Sequence, residues 1–296
     1  MKLLFYLLVI SSLSSISHSG FAQIQQDTTF HIETKDGNEF FGKIVSQDEE
    51  KIRLKTEKLG EITIQRKEIL RILPVNANRI IRGKYWFDNP QSARYFWSPN
   101  GYGLKKGEAY FQNVWVLFNQ VSVGVTNNFS IGAGLVPIFL FSGSPTPVWI
   151  TPKFSIPLSG DKVNIGVGAL LGTVVGQSHS DFGLVYGITT FGTKDKNVSL
   201  GLGYGYAGGQ WGNTPTVSLG TMLRISSRSY IISENYYIDT GRDFLIMTSL
   251  GGRWVISRVG LDYGMILPVT GNKENLFVIP WLGVTVPFGK VVGGRM

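Results

Sequence analysis

The stretch Asn197-Val198-Ser199-Leu200-Gly201-Leu202-Gly203-Tyr204-Gly205-Tyr206-Ala207 decides how this chain folds. Val198, Leu200, Leu202, Tyr204 and Tyr206 share one parity, while Ser199, Gly201, Gly203 and Gly205 share the other. Successive strand side chains point to opposite faces, so the run places its bulk on one side of a sheet and almost nothing on the other. In a soluble sandwich the bulky side would pack a core. Here similar runs follow one another from about residue 107 to residue 288, separated by polar turns and nearly free of helical periodicity. That succession predicts a closed antiparallel barrel with lipid outside and a polar lumen inside.

The turns count the strands. Short ones fall at 126–128, 159–161, 194–196, 226–228 and 257–258; longer breaks fall near 118–119, 142–147, 176–180, 208–215, 239–243 and 270–275. Short and long alternate, as periplasmic turns and outward loops do in transmembrane barrels. Five short and six longer connections join twelve strands, with ten or fourteen as the alternatives if the hairpin at 107–126 is read differently. An even count returns both ends of the barrel to the same side of the membrane.

Residues 1–22 read as a signal peptide. A basic start at Lys2 precedes the apolar Leu3 to Ile10, and Gly20 and Ala22 are small residues suited to cleavage before Gln23. The apolar run is too short to span a bilayer as a helix. With no cysteine in the chain, disulfides, thiolate metal sites and an N-terminal lipidated cysteine are excluded.

Charge divides the rest. Residues 24–106 carry 26 charged side chains, whereas 107–296 carry only 21 over more than twice the length. A water-facing surface needs dense charge and a lipid-facing one does not tolerate it. The formal net charge of +8 is shared between a charged head and the barrel turns, and no basic stripe with interleaved aromatics suggests nucleic acid. The head, residues 23–75, reads as five short strands: 29–34, 40–45, 51–56, 61–64 and 69–73, with a hairpin turn at Asp36-Gly37-Asn38. The order DGNEFFGKIV, KIRLKT, LGEITI, EILRIL resembles an Sm-like or SH3-like small barrel. Residues 76–106 are rich in turn residues and lack any sustained period, so they read as a linker. Its aromatics, Tyr85, Trp86, Phe87, Tyr95, Phe96 and Trp97, suit a position against the barrel mouth or the membrane interface. The barrel domain is then 107–289, followed by a tail at 290–296.

The segments RYFWSPNGYGLKKGEAYFQN, VSVGVTNNFSIGAG and LFVIPWLGVTVPFG resemble those of uncharacterised outer-membrane β-barrel proteins of Gram-negative bacteria. The resemblance covers about 190 residues and implies a transmembrane antiparallel barrel in the cell outer membrane; with the head, the whole chain is expected to be all-β, the barrel preceded by a small soluble β-barrel domain in the periplasm. It says almost nothing about activity.

Chemistry-bearing clusters are sparse. Ser178, His179, Ser180 and Asp181 offer a hydroxyl, an imidazole and a carboxylate, but neighbours on one loop do not usually converge in triad geometry. His31 lies in a strand of the head, and GLGYGYAGG lies in a strand with no helix after it, unlike a phosphate cradle. No catalytic, metal or cofactor site is expected. The polar residues on the inward parity are more informative: Lys153, Arg224, Arg253 and Asp262, with Glu234 placed inward by the cost of a charge facing lipid. Arg253 and Asp262 lie nearly equidistant from the turn at 257–258, which predicts an ion pair across one hairpin. Such a pair either braces the wall or lines a constriction. Three functions follow, in order: a porin-like, non-enzymatic channel for small solutes; an outer-membrane anchor whose head engages the cell wall or a periplasmic protein; and, most distantly, a lipid-modifying enzyme. Outer-membrane lipid is the expected surrounding, with no nucleic-acid partner.

Overall fold

The computed structural model describes residues 28–81, 84–159, 162–239, 243–270 and 277–289. The segment 1–22, the tail 290–296 and part of the turn at 159–161 fall outside them. The chain forms two compact units, Met1–Asn78 and Arg79–Met296.

In the first unit, strands β1 (Thr29–Thr34), β2 (Glu39–Gln47), β3 (Lys51–Thr56), β4 (Gly60–Gln65) and β5 (Ile69–Val75) make one antiparallel sheet in the order β4-β3-β2-β1-β5. Alternation buries Ile32, Ile52, Leu54 and Ile64 together, with Phe40 and Ile72 against them. Gly37 takes the left-handed conformation (φ 86°) that the β1–β2 turn requires. The Asp36 carboxylate accepts the Thr34 hydroxyl and the Asn38 side-chain amide across that turn, which holds its pKa below the usual carboxylate value. His31 is buried, stacked on Phe41 and 3.4 Å from the Glu39 carboxylate, so its ring packs within the sheet.

The second unit begins with a two-residue pair, β6 (Ile80–Ile81) and β7 (Lys84–Tyr85). Its wall comprises β8 (Glu108–Val114), β9 (Phe118–Gly124), β10 (Phe129–Leu135), β11 (Thr146–Ile150), β12 (Lys153–Ser159), β13 (Val163–Val175), β14 (Phe182–Gly192) and β15 (Lys196–Ala207). It continues through β17 (Thr216–Arg224), β18 (Ser229–Asp239), β19 (Phe244–Ile256), β20 (Val259–Thr270) and β21 (Ile279–Gly289), while the short β16 (Gln210–Trp211) folds back on β15. Pairing of β21 with β8, β8 with β9 and β9 with β10 closes the ring. Strands β11 and β12 both lie between β10 and β13 and occupy a single place, so the wall is a closed antiparallel barrel of twelve strands. The interruption falls at Thr151-Pro152, where proline has no N–H to give to a ladder.

Burial inverts the soluble pattern. On β15 the outward Leu200 and Leu202 are 54% and 55% exposed, whereas the inward Ser199 is fully buried. Leu219, Leu223, Val167, Leu250, Trp254 and Leu282 are likewise bulky and exposed on their strands. No helix among the described residues is long and apolar enough to cross a membrane, so any crossing is made by strands.

The structure departs from the sequence-based expectations in four places. The first hairpin turns at Trp115-Val116-Leu117 rather than at 118–119, with Trp115 and Val116 at φ 52° and 65°. Asn113 and Asn119 brace this turn from outside, Asn113 accepting the Val116 N–H and Asn119 donating to the Leu117 carbonyl. Residues 137–141, apolar enough to pass for strand, form a single helical turn started by Pro137. Trp86 and Phe87 do sit at the barrel entrance, against Arg224 and Arg228, but the rest of residues 86–104 does not stop at a mouth or interface and runs inside the barrel. Finally, the interior is not uniformly polar. Phe87, Tyr95 and Phe96 of this segment form a buried core with the inward Met222, Tyr230, Ile232, Val255, Ile266 and Trp281.

Candidate functional site

The segment 86–104 enters at the end of the barrel that carries the short turns and reaches inward to Phe96-Trp97-Ser98. It returns to the same end before β8. Its own backbone bonds, Arg94 to Gln91, Tyr95 to Ser98 and Asn100 to Ala93, close on the segment itself. Contact with the wall therefore runs through side chains, and the charged residues that the sequence places inward are among those that make it.

Arg253 and Asp262 face each other directly across β19 and β20. The pair is bidentate, Nε to Oδ1 at 2.6 Å and Nη2 to Oδ2 at 2.9 Å, and both side chains are essentially buried. The rest of the guanidinium serves the segment. Nη1 donates to Asn89 Oδ1 and the Gln91 carbonyl, each at 2.8 Å, and Nη2 donates to Gln91 Oε1 at 3.0 Å and the Tyr95 carbonyl at 2.8 Å. The planar fork of arginine suits this many simultaneous bonds. Gly260, next to the pair, leaves room for Pro90, whose ring carbon lies 2.7 Å from where a Cβ would stand.

Glu234, on β18, holds the tip. Its Oε2 accepts the backbone N–H groups of Phe96, Trp97 and Ser98 at 2.9, 3.0 and 3.0 Å, and Oε1 accepts the Tyr236 hydroxyl at 2.6 Å. Three consecutive amides turned on one oxygen form an anion nest, here filled by a side chain of the wall. Lys153, on β12, donates to the carbonyls of Tyr102 and Ala93 and so ties the two limbs of the segment. Arg224, on β17, works at the entrance. It donates to the Phe87 carbonyl at 2.8 Å and to Asp195 Oδ2 at 3.1 Å, and Trp86 stacks 4.7 Å from its guanidinium carbon. Four of the five inward residues thus meet one object, the segment, and Asp262 reaches it through Arg253, rather than an open aqueous lumen.

Several partners carry no obvious sequence signal. The Tyr95 hydroxyl bonds Asn197 at 2.7 Å and Ser199 at 2.6 Å, and Thr190 accepts the Gly101 N–H at 2.6 Å. The Tyr95 ring lies against Gly220, 2.1 Å from the position of a missing Cβ, so glycine is needed on the wall there. One signal was available. Tyr230-Ile231-Ile232-Ser233-Glu234-Asn235-Tyr236-Tyr237-Ile238 is apolar on both faces, which a water-filled barrel has no use for but an aromatic filling does.

Toward the long-loop end, beyond the tip, lies a cavity of about 350 Å³ with Phe96, Trp97 and Pro99 on its floor and Trp115, Phe118, Tyr186, Ile238, Met247 and Trp281 in its walls. The hydroxyl of Ser180, beside His179, is spent on the Val174 and Gln177 carbonyls and closes its own turn. Among the described residues, no group of three His, Asp or Glu side chains is placed to hold a metal ion.

No known family matches the sequence, and no curated protein matches it. Solved structures similar in shape include two porins. One, described as "KdgM porin", has 11% identity and a TM-score of 0.46, covering 61% of this chain and 99% of that one. The other, "KdgM porin in complex with disordered oligogalacturonate", has 12% identity and a TM-score of 0.42, covering 62% and 98%.

Proposed function

We propose that this is a non-enzymatic, porin-like channel of the outer membrane, passing small solutes under the control of the segment 86–104. The observation that carries the reading is how the segment is held. A closed wall is complete without it, and the segment joins that wall through side-chain bonds rather than by a strand ladder. Releasing it therefore costs a limited set of contacts and leaves the barrel hydrogen bonding intact. The bulky, exposed outward residues support a lipid environment. In the same reading, residues 1–22 are removed on export and the head at 23–75 is an Sm-like small barrel in the periplasm. Its strand order, with β1 between β2 and β5, supports that assignment.

Planar-bilayer recordings test the channel. The wild-type protein should show little steady current, and a variant with residues 90–101 replaced by a Gly/Ser linker should show large, steady conductance. A correctly inserted variant that does not conduct would end the reading. The anchor function would then stand, favoured by an interior already occupied and by a separately folded head.

A further inference from the structure

The cavity beyond the segment tip does not suit a sugar. Its polar groups are largely spent on the protein. Glu234 is saturated by three amides and a phenol, Ser249 donates to the Glu234 carbonyl, and Gln120 is held between the Trp149 indole and Ser122. What remains facing the space is mostly aromatic and aliphatic, with the hydroxyls of Thr216, Ser218 and Tyr186 among it. A polyhydroxylated guest would leave most of its hydroxyls unpaired there.

One charged donor is left over. Arg94, half-buried in the floor, makes one long bond of 3.5 Å to Gln112 Oε1, and no carboxylate among the described residues pairs with it. An apolar chamber with an unpaired cation calls for an apolar body carrying one anionic, hydrogen-bond-accepting head. We infer that the cavity is a binding site for a small apolar carboxylate, of the acyl-chain or single-ring kind, seated against the segment tip with its head toward Arg94. Its volume of about 350 Å³ lies at the small end of the range for ligand sites, about 300–1,000 Å³. The inference deepens the channel reading, on which its meaning as a cargo site rests.

Calorimetric titration of the full-length protein in lipid nanodiscs tests it, with octanoate, 1-octanol and maltotriose as probes. Octanoate should bind saturably, octanol at least tenfold more weakly, and maltotriose not at all. Arg94→Gln should bring octanoate down to the affinity of octanol. Ser218→Phe and Ile238→Trp, which fill the chamber from two different strands, should each weaken octanoate at least tenfold, with heat-modifiable migration on gels showing that the barrel has formed. Octanol binding as tightly as octanoate, octanoate binding unchanged in both filled variants, or saturable maltotriose binding would overturn the inference. The titration needs no conduction. Saturable octanoate binding beside a non-conducting 90–101 replacement would leave the site standing and remove the channel, and the converse result would do the reverse.

Discussion

Arg253 and Asp262 form a bidentate pair across β19 and β20, yet Asp262 receives only two of the six bonds that the guanidinium makes; the other four reach Asn89, Gln91 and Tyr95. The carboxylate compensates a buried cation whose main business is with the segment. Replacing Asp262 by Asn leaves that cation uncompensated, which should cost about 3 kcal/mol. Equilibrium unfolding in detergent checks the stability change. Because the knot fastens the segment, open probability in bilayers should also rise. Lost stability with unaltered gating would reduce the pair to a brace of the wall.

Gly220 and Tyr95 give a sharper test of the segment alone. A methyl at position 220 would fall 2.1 Å from the Tyr95 ring. Gly220→Ala should therefore destabilise the docked segment by about 1–3 kcal/mol and increase conductance. Adding Tyr95→Ala should remove the clash, so that the double variant behaves like Tyr95→Ala by itself. Independent, additive effects would show that the two residues do not meet.

The outward face predicts a contrast between two apolar residues of similar exposure. Leu202 is 55% exposed on the barrel and Val45 is 49% exposed on the head. Arginine at Leu202 should cost about 2–4 kcal/mol if the site lies near the bilayer midplane, whereas at Val45 it should stay within about 0.5 kcal/mol. Equal tolerance at both would mean that Leu202 faces water.

The head has an acid-sensitive turn. The Thr34 and Asn38 bonds lower the Asp36 pKa from its ordinary 3.8. A depressed carboxylate stabilises the fold above its unfolded pKa, and that stabilisation is lost as pH falls through the lower, folded value. The melting temperature of the head should thus fall below pH 3.8, and Asp36→Asn should flatten that part of the profile. An unchanged slope in the variant would assign the acid response to other groups.

The strands were legible because period two is a backbone property, and residues 197–207 display it without interruption. The opposition of Arg253 and Asp262 was legible because a tight hairpin makes distance from the turn equal to register. The filling of the barrel was not legible. Residues 86–104 have no periodicity because they are held by separate contacts to β12, β14, β15, β17, β18 and β19 rather than by a repeating ladder. Even so, β18 carries their imprint in inward Tyr230, Ile232 and Ile238, and that imprint makes sense only once the aromatics opposite are known.

The docking of residues 86–104 also bears on when the barrel is filled during assembly. Gln91 waits for Arg253, 162 positions downstream, and for Thr285, 194 positions downstream, while Phe96 waits for Glu234, 138 positions away. Contacts that distant form late, after the loops between them have closed. The pairs that close the wall, Gly283 with Val114 and Gly289 with Glu108, lie 169 and 181 positions apart, so docking of the segment and closure of the ring belong to the same late stage. A chain that closes its ring without docking the segment has not misfolded in its wall. It is a finished barrel with its stopper hanging out, which links the yield of docking directly to how leaky the membrane becomes.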